Sequence, residues 1–231
     1  HERQTRGKLK DTARELRSNV DRFQKAMEGF VQAISLALEM RDPYTSGHQD
    51  RVADLACAIG RKLELAEDRI YGLRMASVIH DLGKITIPGE ILCKPGRLSV
   101  PEYEMIKTHV QSGYEILRKI DFPWPLAEIV IQHHERMDGS GYPQGLSGDQ
   151  ILLEARILAV SDVFETIGSH RPYRPSLGIK KAMSELTDNS GRLYDPDVVD
   201  ACLDLVSQPE FKLKSPIKGE HAVVTTQMQS L

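Results

Sequence analysis

Eight polar residues interrupt stretches of sequence that otherwise read as buried helix: His48, His80, Asp81, Lys84, His109, His133, His134 and Asp162. Five of the chain's eight histidines are among them. Neutral imidazole and carboxylate are the ligands that hold divalent iron, manganese and zinc. No cysteine accompanies them at the spacing of a zinc finger. The chemistry they point to is a catalytic metal centre with more than one ion. His80 and Asp81 are adjacent, and adjacent helical side chains diverge by about 100°. Both reach one centre only near a helix end or bend, and Gly83 fits such an end. An aspartate placed between two cations can bridge them with its two oxygens. Asp162 lies in the mostly apolar run Ala159–Phe164, where a buried carboxylate is costly unless paired or metal-bound. A lone histidine such as His109 is more often a core or surface group, and it is the pattern around it that makes it a candidate ligand.

The elements that must position these groups read as helices throughout. Residues 7–40 carry Leu9, Ala13, Leu16, Val20, Phe23, Met27, Phe30, Ile34 and Ala37 in steps of four and three, the spacing of a coiled coil. This predicts a self-associating helix, with Phe30 to Ala37 merging into the core of the adjoining domain. Pro43 ends it. Further helices are expected from His48 to Leu63, from Glu67 to His80, from Ser99 through His109 to Leu117, from Pro125 to His134, and over 150–168, 177–188 and 196–206. Gly139, Gly141, Gly145 and Gly148 with Pro143 make 136–148 a loop. No segment alternates with period two. The expected division is a helix over 1–40, a catalytic domain over 41–207 and a tail over 208–231.

A net charge of −3 and a pI near 6.3 give no basic field for a nucleic acid polymer. No apolar run is long enough to span a membrane, and the charged first 25 residues do not read as a signal peptide. Cys57, Cys93 and Cys202 read as buried free thiols of a reducing compartment. A cytoplasmic location is expected. His1 is an unusual natural start, so the chain reads as part of something longer, which could itself be membrane-anchored.

The segment Val78-Ile79-His80-Asp81-Leu82-Gly83-Lys84 resembles the HD hydrolase superfamily. His133-His134-Glu135-Arg136-Met137-Asp138-Gly139-Ser140-Gly141-Tyr142-Pro143 resembles the signature of its HD-GYP branch, and Arg41–His48 and Arg171-Pro172-Tyr173-Arg174 match that branch too. The resemblance implies an all-α HD-superfamily domain preceded by a long N-terminal coiled-coil helix. It implies that His48, His80, Asp81 and Asp162 hold one ion and that Asp81, His109, His133 and His134 hold the other. Some relatives bind a third ion through an acidic residue where this chain has Tyr44, whose neutral phenol is a poor ligand. Two ions are therefore expected, iron or manganese by resemblance, with donors that also suit zinc.

Such a pair clamps an in-line phosphoryl displacement by water. Asp81 and Lys84 are the expected catalytic residues, with the Lys84 ammonium near the phosphate or leaving oxygen if helix persists one turn past His80. Arg171 and Arg174 could hold a second phosphate, and Tyr142 would line the substrate entrance. The branch implies hydrolysis of cyclic di-GMP to linear pGpG, and on to GMP in some members, as the output of a bacterial signalling protein. A homodimer through residues 7–40, an upstream sensor or receiver domain and protein partners at the Gly-Tyr-Pro loop belong to the same expectation. Relatives often carry Thr-Ser-Asp where this chain has Gly168-Ser169-His170. The alternatives are an HD hydrolase of another nucleotide, such as a hybrid cyclic dinucleotide, and a non-enzymatic cyclic di-GMP sensor.

Overall fold

The computed structural model describes residues 2–41, 47–168 and 178–208. Helix α1 (Glu2–Arg41) is followed by α2 (His48–Lys62) and α3 (Glu67–Ile79), then by a 3₁₀ turn at Leu82–Thr86 and the short α4 (Gly89–Leu92). Next come α5 (Val100–Lys107), α6 (His109–Leu117) and α7 (Leu126–Gln132), and finally α8 (Leu153–Gly168), α9 (Ile179–Asp188) and α10 (Pro196–Val206). Among the described residues there is no strand, only isolated bridges such as Asp138 with Ser147. The all-α class is the one expected from the sequence.

Helix α3 is the central rod. Its apolar faces, Ile70, Leu73, Ala76 and Ile79, are buried against α2 on one side and α7 on another, with α8 crossing α2. No helix is long and apolar enough to cross a membrane among the described residues. Cys57 and Cys202 are buried free thiols, while Cys93 is only half-buried.

Helix α1 departs from the reading in one respect. Its C-terminal part does dock on the domain, through buried Val31 and Ser35 and half-buried Met27, Ile34 and Leu38. Phe30 and Ala37, expected in that core, face outward, Phe30 being 66% exposed. The reason is geometric: a seven-residue stripe drifts around a straight helix of 3.6 residues per turn. The face that docks therefore slips to one side of the stripe. Leu16, Val20 and Phe23 of that stripe are exposed. At the end of α1 the Arg41 guanidinium donates to the carbonyls of Ile85 (2.6 Å) and Ile87 (3.2 Å), tying the helix to the 3₁₀ turn.

The single helix expected from Ser99 to Leu117 is two helices. It starts as read, with a capping box between Ser99 and Glu102 and Pro101 in its first turn. At Thr108 the ladder breaks. The Thr108 hydroxyl and amide both donate to the Met105 carbonyl, three residues back, at 2.7 and 3.1 Å. A threonine that satisfies its own backbone this way competes with the helix. The break makes His109 the first residue of α6.

Candidate metal centre

Each candidate ligand sits where an element begins or ends, or on an inward face. His80 caps α3, and Asp81 leaves the helix at φ −90°, ψ 7°. That turn lets neighbouring side chains aim at one centre, as the His80-Asp81 spacing requires. Gly83 makes the turn possible: a Cβ there would lie 1.8 Å from the His109 carbonyl oxygen and 2.6 Å from the Gly113 amide nitrogen. Backbone meets backbone at this point, which brings the start of α6 against the end of α3. His133 caps α7 and His134 comes next, His48 opens α2, and Asp162 lies along α8.

These seven residues form three overlapping groups: His48, His80 and Asp162; His80, Asp81 and His133; and His109, His133 and His134. Within each group the ligand atoms lie no more than 4.8 Å apart. Asp81 stands between, with Oδ1 3.6 Å from His109 Nε2 and Oδ2 3.6 Å from His80 Nε2. His48 Nε2 is 3.2 Å from Asp162 Oδ1.

The hydrogen bonds fix which nitrogen faces the centre. His80, His109 and His133 each donate Nδ1–H to the carbonyl three residues earlier, on Ser77 (2.7 Å), Ile106 (2.7 Å) and Val130 (2.6 Å). This tautomer leaves the lone pair on Nε2. Among the described residues, the Nε2 atoms of His109 and His133 are buried with no hydrogen-bond partner. A buried acceptor left bare costs about 1–3 kcal/mol, and a cation is the partner that this donor set fits. Burial holds the His109 and His134 rings below their usual range and takes His133 down to about 3, so all three are neutral at pH 7. Burial by itself would raise the Asp81 carboxyl, but Lys84, His80 and His109 outweigh it and hold it well below the usual carboxylate range. Burial opposes charge on His48 as well, yet Asp162 and Glu165 raise it to about 9.

Lys84 reaches the centre by a route other than the expected one. The α-helix does not persist past His80, and the 3₁₀ turn carries Lys84 back so that Nζ lies 2.7 Å from Asp81 Oδ2. The Tyr142 ring stacks on His134 at 4.8 Å. Arg171, Arg174, His170 and Tyr44 lie outside the described residues, as does the tail from 209 onward.

The HD domain family profile matches residues 32–198. The chain belongs to the HD domain family. Its match takes in every described candidate ligand. Among relatives of this HD domain is a cyclic di-GMP phosphodiesterase response regulator of Xanthomonas campestris, 42% identical over 75% of this chain and 46% of its own length. A 3'3'-cGAMP-specific phosphodiesterase of Vibrio cholerae is 37% identical over 74% of this chain and 37% of its own length. The chain thus spans about half the length, or less, of these curated relatives. A solved HDG"Y"P protein from Bdellovibrio bacteriovorus superposes with a TM-score of 0.58 at 18% identity, over 71% of this chain and 52% of that one. This last likeness is one of fold.

Three residues of the HD domain site escaped the sequence reading. Glu165, fully buried on α8, bonds to His48 Nδ1 and accepts from Arg51 Nε at 2.6 Å. Its signal was there: it lies three residues beyond Asp162, hence shares its helical face, in an apolar helix. Gln49 donates to Asp81 Oδ2 at 3.2 Å. Glu135, 2% exposed, accepts from the amides of Gln144 (2.7 Å) and Leu146 (3.0 Å) and so fastens the loop after the paired histidines.

Proposed function

We propose that this chain is a metal-dependent phosphodiesterase that hydrolyses cyclic di-GMP to linear pGpG. The observation that carries the reading is the convergence of five imidazoles and two carboxylates from five helices and turns, with two buried Nε2 atoms bare. His48, His80, Asp81 and Asp162 would hold one divalent ion, and Asp81, His109, His133 and His134 would hold the other, iron or manganese being favoured. Bound there, such a pair would supply a water of lowered pKa and positive charge for the phosphoryl oxygens. The residues do the rest. Asp81 presents an oxygen to each cluster. Lys84 keeps an ammonium beside that carboxylate, ready to donate to a phosphate or leaving oxygen. The backbone carbonyls and Glu165 hold the imidazoles in their donating tautomer. Tyr142 walls the entrance, and Arg171 and Arg174 take the second phosphate.

The same proposal places the activity at the output end of a longer bacterial signalling protein in the cytoplasm, with an upstream sensor or receiver domain. Residues 1–40 serve as signalling and dimerisation helix for the catalytic domain over 41–207. The exposed stripe Leu16, Val20 and Phe23 supports a homodimer, and a monomer by light scattering at micromolar concentration would count against it. The Gly-Tyr-Pro loop is the surface offered to protein partners.

A second reading is favoured by a specific observation, the likeness to a relative named for 3'3'-cGAMP: the preferred substrate is the hybrid dinucleotide. One experiment separates the readings. The protein is purified anaerobically, its metal is measured, and cyclic di-GMP, 3'3'-cGAMP and cyclic di-AMP are offered in turn. Fastest turnover of cyclic di-GMP to pGpG is expected. Binding of cyclic di-GMP with no product from any of the three would leave a sensor in place of an enzyme.

A further inference from the structure

The histidines of the centre are not all held in the same way. His80, His109 and His133 are each fixed by a backbone carbonyl at 2.6–2.7 Å, and His48 by the Glu165 carboxylate. No hydrogen bond of this kind reaches the His134 ring among the described residues. What touches it is aromatic. The Tyr142 ring lies nearly parallel to it, at 26° and 4.8 Å between centroids, and the His133 ring is at 4.0 Å and 40°.

The chain is folded back tightly to put Tyr142 there. Gly141 passes so close to the histidine pair that a Cβ on it would lie 2.4 Å from Glu135 Cα and 2.5 Å from the Arg136 nitrogen. The Tyr142 amide donates to the His134 carbonyl at 3.3 Å. Beyond it, buried Glu135 anchors the loop through the Gln144 and Leu146 amides. The Lys107 ammonium lies 5.6 Å from the centre of the same tyrosine ring. Glycine, tyrosine and anchored loop thus form one clamp, with the tyrosine face as its jaw.

We infer that Tyr142 is a positioning residue that orients His134 toward the second cluster, doing by ring stacking what a backbone carbonyl does for three of the other histidines. The assignment rests on the metal-centre reading above. It gives Tyr142 a task separate from lining the substrate entrance, since a ring that only lines an entrance has no reason to change metal affinity. Removing an orienting partner of a metal-bound histidine weakens metal binding by about 10- to 100-fold.

The test titrates metal-stripped chains with Mn²⁺ and follows uptake, not turnover. Y142F keeps the ring and is expected to match the wild type. Y142L is expected to bind one of two Mn²⁺ ions about 10- to 100-fold more weakly. H134A should weaken the same ion, and adding Y142L to H134A should change nothing more, because the two side chains act as one unit. Y142L binding both ions as tightly as wild type would overturn the inference, and so would losses that simply add in the double variant. If Y142L melts early, the comparison within the H134A background, made at a temperature where both chains are folded, still decides. Wild-type protein that takes up no Mn²⁺ would sink the metal-centre reading itself. Wild type with two ions and an indifferent Y142L would sink only the role of the tyrosine.

Discussion

The cluster at His48, His80 and Asp162 has one carboxylate in it and a second, Glu165, directly behind His48, whereas the cluster at His109, His133 and His134 is imidazole alone. Their electrostatics diverge accordingly. In the first, negative charge overcomes burial and His48 keeps a proton up to about pH 9. In the second, burial prevails, and His133 stays neutral down to about pH 3. One cluster attracts positive charge and takes a proton when nothing else is offered. The other is kept neutral by burial, with the Nε2 lone pairs of His109 and His133 bare among the described residues. Asp81 lies between them, with Oδ1 3.6 Å from His109 Nε2 of the imidazole cluster. On the proposed reading, the contrast is between two ways of preparing a cation site: by charge, which a proton must vacate, and by preorganised neutral donors.

The strongest way to break the comparison is to remove what the clusters share. Asp81→Ala should empty both, because each Asp81 oxygen lies 3.6 Å from an imidazole of a different cluster. Metal content should fall from two equivalents toward zero. Hydrolysis should drop roughly a thousandfold or more, since the ions supply several kcal/mol of charge stabilisation. Retained turnover in the metal-stripped protein would refute the whole scheme. Nearly as severe is Gly83→Ala, which would place a methyl 1.8 Å from the His109 carbonyl oxygen. The end of α3 and the start of α6 must then separate, costing at least about 2 kcal/mol, read as a lower urea midpoint. Unchanged stability would mean that the two backbones do not meet there.

How much of this could be read in advance depended on range. His80 and Asp81 could be read as a helix end because Gly83 comes just after them, and the structure puts the end there. The all-α class came from uninterrupted helical spacing. The break at Thr108 was not legible, because a threonine within a helical pattern is ordinary and only the tertiary need to aim His109 selects the alternative bonds. Phe30 and Ala37 lie on the heptad stripe yet face outward, because in that segment a globular face, not a second helix, sets the phase. Glu165 is legible as a buried acid on the Asp162 face of α8, but its place behind His48 is not, because that partner is 117 residues away.

Sharpening the comparison means taking one cluster at a time. Asp162→Ala and His134→Ala should each weaken the binding of one metal equivalent, at opposite clusters, and leave the other at wild-type affinity. In the double variant the losses should sum. If either variant alone loses both ions, the clusters are a single cooperative site and the contrast drawn above fails. Glu165→Gln is milder: it keeps a bonding group behind His48 and removes the charge. Metal affinity at the first cluster should fall by about 10- to 100-fold, with the second untouched.

The smallest effect is on the pH dependence of the metal-free fold, and its sign differs between clusters. His48 has a folded pKa of about 9 against an ordinary 6.5. Its contribution is fully present below pH 6.5 and is lost as pH rises from there to 9. His133 is depressed to about 3, so the unfolded chain binds the extra proton below pH 6.5. Its burial therefore weakens the fold progressively as pH falls from 6.5 to 3, and the depressed pKa values of His109 and His134 act in the same direction. Urea midpoints of the metal-free protein should peak near pH 6.5 and decline on both sides. Glu165→Gln should make the alkaline limb shallower without abolishing it, because Asp162, the larger of the two groups that hold the His48 proton, remains beside it. Metal binding should show the converse at the first cluster: the ion must displace that proton, so affinity there rises with pH up to about 9 while the imidazole cluster is indifferent above pH 7. Equal pH slopes for the two ions would mean that the charge behind His48 does not distinguish the clusters.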